Sequence, residues 1–144
     1  MKTTILRSSL TALACAAVLA IATLSMAANV NLKADLKGSS EVPPTDSKGA
    51  GSVTATYDSA SKKLSWKGNV SGLSGTATAA HFHAGEAGKN GGVVVPIAGA
   101  DKGSFEGSAT LTDEQAADLM AGKWYVNVHT AANKGGEVRG QVTK

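Results

Sequence analysis

From Ala28 onward the chain runs in short segments of alternating apolar and polar residues, separated by clusters of Gly, Asp, Ser and Lys. Alternation with a period of two between turn residues marks half-buried β-strands. Val30, Leu32, Ala34 and Leu36 share one face of the first segment. Gly51 to Tyr57 sets Val53, Ala55 and Tyr57 against Ser and Thr. After the polar turn Asp58 to Lys62, Leu64, Trp66 and Val70 resume the pattern, which predicts a hairpin. Thr76 to His83, Val93 to Ile97, Ser104 to Leu111, Lys123 to Thr130 and Glu137 to Val142 complete the set. Gly38 to Lys48 is predicted as a connection, because Pro43 and Pro44 have no N–H for a central ladder.

The period changes once. Thr112-Asp113-Glu114-Gln115 offers an N-cap followed by first-turn acids, then Ala116, Ala117, Leu119 and Met120. Gly122 supplies the stop. One short helix capping an end of the sheets is expected. Seven or eight strands in residues 28–144 predict a single all-β domain, an antiparallel Greek-key immunoglobulin-like β-sandwich.

The first 27 residues follow another pattern. Lys2 and Arg7 precede a run from Leu10 to Leu24 rich in Leu, Ala and Ile, and Ser25-Met26-Ala27 has the small-x-small form of a cleavage site. That is the layout of a secretory signal peptide over 1–27, which predicts a periplasmic or secreted domain over 28–144. Losing Lys2 and Arg7 from the 14 basic residues leaves 12 against 11 acidic ones, so the formal charge falls from +3 to +1. No basic block with interleaved aromatics remains, which argues against a nucleic-acid partner. Beyond the signal peptide no membrane association is expected. Cys15 is the single cysteine, so the exported part has neither a disulfide nor a thiolate nucleophile. At 4% aromatic residues and 17 Gly, the composition suits strands and turns better than a helical bundle.

The candidate chemistry is concentrated in three histidines. His81-Phe82-His83 places two imidazoles on one strand face, about 6–7 Å apart along the chain. In Trp124-Tyr125-Val126-Asn127-Val128-His129, the apolar Trp124, Val126 and Val128 point one way, and Tyr125, Asn127 and His129 the other. Both strands thus turn histidine away from the core. An H-x-H pair with a third histidine on a neighbouring strand is a ligand set for copper or zinc, with a position left for water or substrate. Glu86, Tyr125, Asn127, Glu137 and Arg139 are candidates to support it. Glu86 could orient an imidazole, Tyr125 and Asn127 could hydrogen-bond around the site, and Glu137 and Arg139 could form a cross-strand ion pair. The glycine-rich stretch Gly85 to Gly92 follows a strand but precedes no helix, so it lacks the context of a phosphate loop. No G-x-S-x-G motif is present, and no pair of carboxylates stands out.

Several landmarks together resemble the CHRD domain family, the domain type repeated in chordin. They are Gly38 with Glu41-Val42-Pro43-Pro44, Gly72-Leu73, Ala79-Ala80-His81-Phe82-His83-Ala84-Gly85, Leu111-Thr112, Leu119 and Gly122. Tyr125-Val126-Asn127-Val128-His129-Thr130 and Gly136-Glu137-Val138-Arg139-Gly140-Gln141 complete the series. The resemblance implies an exported β-sandwich binding module and carries His81, His83 and His129 over as functional positions. Their role as metal ligands is inferred from chemistry, not from the family. A looser likeness to copper-zinc superoxide dismutase rests on the H-x-H strand, but the chain has too few histidines for both of that enzyme's metal sites. Three functions are therefore weighed: a copper- or zinc-binding module, a metal-independent adhesion domain with an extracellular protein partner, and a small copper redox enzyme using Arg139 to attract an anion.

Overall fold

The computed structural model describes residues 28–144. The expected signal peptide over 1–27 and Cys15 lie outside them. Among the described residues eight strands form: β1 (Asn29–Lys37), β2 (Ala50–Asp58), β3 (Lys63–Ser71), β4 (Ala77–Ala84), β5 (Val93–Ile97), β6 (Ser104–Thr110), β7 (Trp124–Thr130) and β8 (Val138–Gln141). One helix, α1 (Asp113–Met120), precedes β7, and short 3-10 turns occupy Gly38–Ser40 and Ala100–Lys102. Strand alternation is literal in β1, where Leu32, Ala34 and Leu36 are buried and Asn31, Lys33, Asp35 and Lys37 are exposed. The helix starts as its sequence demands. Thr112 accepts from the Gln115 N–H, and the Gln115 side chain accepts from the Thr112 N–H, a complete capping box.

All eight strands are antiparallel and hydrogen-bonded in the order β5-β4-β7-β8-β1-β2-β3-β6. The expected all-β antiparallel architecture with one helix is what forms, and its two layers are halves of one continuous, nearly closed sheet. The closure follows from the core. Trp66 on β3 meets Phe82 on β4 edge-to-face at 5.1 Å, although these strands are far apart in the sheet order. Phe82 in turn packs on Trp124 of β7, with 5.9 Å between centroids. Burying one apolar face of a twisted sheet against itself removes that face from water without a second sheet.

Strand β7 departs furthest from alternation, and the short β8 follows it with Val138, Arg139 and Gly140 all buried. Every residue of β7 is buried except the partly buried His129. Its inner set, Trp124, Val126, Val128 and Thr130, has no exposed surface. Its outer set is covered as well, because the connection after β1 and the glycine-rich loop after β4 reach across that side. Asn90 Nδ2 of the second loop donates to the Val42 carbonyl of the first at 2.8 Å. A face that sequence alternation assigns to solvent thereby becomes a small polar interior.

Candidate metal centre

Strands β4 and β7 are neighbours, with Ala79 opposite His129, His81 opposite Asn127 and His83 opposite Tyr125. This register sets His129 diagonally from His81 on the face away from Phe82 and Val128. One potential ligand atom from each of His81, His83 and His129 lies within 4.8 Å of the others. His81 Nδ1 and His129 Nε2 are 3.2 Å apart. Three nitrogens each about 2.0–2.1 Å from one ion stand roughly 3.3 Å from each other. The His81–His129 spacing already fits, and the remaining spacings stay within 4.8 Å.

The protons on these rings are set by backbone carbonyls. His83 Nδ1 lies 3.0 Å from the Gly91 oxygen, and His129 Nδ1 lies 2.9 Å from the Lys134 oxygen. A carbonyl only accepts, so each Nδ1 carries the proton and each Nε2 keeps its lone pair. His81 Nδ1–H then donates to His129 Nε2. His83 Nε2 is buried and has no hydrogen-bond partner. Burial lowers the pKa of His81, helped by the neighbouring His129 and His83. Burial also lowers that of His83, with the Gly91 carbonyl acting in the opposite direction. Both shifts favour the neutral ring, the form that binds a metal.

Tyr125 stands opposite His83 and Asn127 opposite His81 on β7, and Arg139 stands opposite Asn127 on β8. The Tyr125 ring stacks on His83 at 4.8 Å and 7° from parallel, and Arg139 Cζ sits 3.4 Å from the centroid of the same phenol ring. Arg139 is only 2% exposed. Its Nη1 donates to Asn90 Oδ1 at 3.1 Å, and its Nη2 donates to the carbonyls of Glu86 and Lys89 at 3.2 and 2.6 Å. Glu86 thus reaches the site's surroundings through its carbonyl, while its residue as a whole is exposed.

The Glu137–Arg139 ion pair does not form. Strand β8 begins only at Val138, so the alternation that would align Glu137 with Arg139 has not started. Glu137 instead accepts from the hydroxyls of Ser47, Ser74 and Thr130, from the Ser74 N–H and from Asn133 Nδ2. Sequence reasoning also left Glu41 without a role. It is buried beside Asn127 under Gly136, whose φ of +127° and lack of Cβ make room for both side chains. Burial raises the Glu41 pKa, while the Arg139 charge works against the rise. The one signal for it was the Glu41-Val42-Pro43-Pro44 landmark, which names a position but no contact.

No helix of the described residues is long and apolar enough to cross a membrane. Comparison with curated proteins and with solved structures finds no match. Comparison with protein families gives one, the CHRD domain, over residues 32–142. That span runs from the first strand to the last and contains the three histidines together with Glu41, Tyr125 and Arg139. On that match the chain belongs to the CHRD domain family.

Proposed function

We propose that this CHRD domain is an exported binding module, periplasmic or secreted, that takes up one copper or zinc ion through His81, His83 and His129. One observation carries the reading. The nitrogens of three histidines converge, and two of the rings already donate their other N–H to a carbonyl, the arrangement that orients imidazole ligands in metal sites. The chemistry of three neutral nitrogens fits copper and zinc better than magnesium or calcium, which prefer oxygen. A redox enzyme that attracts an anion through Arg139 is the weaker reading, because that guanidinium is buried and already bonded to the glycine-rich loop.

Pulsed electron paramagnetic resonance of the protein loaded with one equivalent of Cu(II) tests this. The expected signal contains three coupled imidazoles at pH 7 and fades on acidification below the ordinary histidine value of about 6.5. A spectrum unchanged in His81→Ala and His129→Ala variants would place the copper elsewhere and refute the site.

A further inference from the structure

His83 is held by contacts from two other parts of the chain. Its Nδ1–H donates to the Gly91 carbonyl, and its ring lies against Tyr125. These two partners are themselves joined: the Tyr125 hydroxyl accepts from the Gly91 N–H at 3.1 Å and lies 3.3 Å from the Gly91 oxygen. A side chain at Gly91 would overlap the Ala84 carbonyl oxygen, so the loop approaches β4 as closely as a backbone can. Strand β7 lies between β4 and β8, which brings His83 to Tyr125 from one side and Arg139 from the other. Arg139 also grips the loop at Glu86, Lys89 and Asn90. Loop, phenol ring and guanidinium therefore close into one unit around a single imidazole.

We propose that Tyr125 and the Gly91 carbonyl, pinned by Arg139, form a positioning frame. It fixes His83 in the Nδ1–H tautomer and presents Nε2 as the anchoring ligand of the metal centre. The tautomer is a property of the metal-free protein; the ligand half of the proposal rests on the metal reading above. His83 needs to move no proton to bind. His81, by contrast, must shift its Nδ1 proton or turn its ring before it and His129 can share an ion, because the two are hydrogen-bonded to each other. His83 is also the most buried of the three histidines, as an anchor should be.

Long-range proton–nitrogen correlation spectra of the metal-free protein, paired with Zn(II) titration, test both halves. Wild-type His83 is expected wholly as the Nδ1–H tautomer. Tyr125→Leu, which loses both stack and hydroxyl, should give mixed tautomers and bind Zn(II) about 10–100-fold more weakly. Tyr125→Phe keeps the stack and should recover most of that affinity, with a minor Nε2–H population. If the leucine variant does not fold, the phenylalanine variant decides alone. Unchanged tautomer and affinity in the folded variants would overturn the frame, as would a wild-type His83 in the Nε2–H form that still binds Zn(II). A wild-type Nδ1–H tautomer without Zn(II) binding would instead overturn the ligand half together with the metal reading.

Discussion

Glu137 has no exposed surface, yet its carboxyl is surrounded by hydroxyl and N–H donors from three separate stretches of chain. Burial alone would raise its pKa. The hydrogen bonds from Ser47, Ser74 and Thr130 outweigh that and hold it at about 2, against an ordinary 4.5. A depressed carboxyl pKa contributes stability that is fully present above pH 4.5 and is lost as the pH falls through 2. Urea unfolding between pH 2 and 7 should therefore show wild-type stability declining below pH 4.5. Glu137→Gln should be less stable at pH 7 by about 3 kcal/mol and show a flatter acid limb, since donors that faced a carboxylate now face an amide. The sequence indicated the residue but not this role, because its partners Ser47 and Ser74 are about 90 and 63 positions away. The histidines were more legible. Alternation alone puts His81, His83 and His129 on the face away from the core, and the structure agrees.

At the scale of elements, local chemistry fixes the helix. The capping box of Thr112 and Gln115 starts α1, and Gly122 follows its end with a φ of +74°. A salt bridge from Lys62 to Asp113 at 2.5 Å joins the helix to the turn after β2, but both side chains are well exposed, so it adds little. The cap is the stronger contact. Thr112→Ala should lower thermal stability by about 1 kcal/mol, several times the effect of Asp113→Asn, and paired calorimetric melts check the ratio. Strand limits were readable to within a residue or two. The predicted Gly51 to Tyr57 is Ala50–Asp58, and Thr76 to His83 is Ala77–Ala84. The two loops were readable only as loops. Prolines and glycines mark them as breaks in the pattern, but nothing local says that Asn90 ties one to the other over β7. Solvent-facing and loop-covered polar faces carry the same alternation.

Across the whole molecule, the candidate site depends on which strands become neighbours. His81 and His129 meet because β4 pairs with β7, a choice made by the shared core of Phe82, Trp124 and Val126 rather than by either strand alone. The pattern supplied seven or eight strands and their inward faces; the sheet order came from long-range packing that no window of sequence contains. The same packing draws Arg139 and the glycine-rich loop over the outer face and shields His83 from water. Fold and site are thus one arrangement: the inner face stabilises the sheet, and the covered outer face holds the imidazoles. The most direct measurement is calorimetric titration of the protein with Cu(II) and Zn(II), with elemental analysis, beside the triple variant His81→Ala, His83→Ala, His129→Ala. The account predicts one ion per chain for the wild type and none for a triple variant that keeps its β-sheet circular dichroism. No binding by the wild type, or equal binding by a folded triple variant, would contradict it.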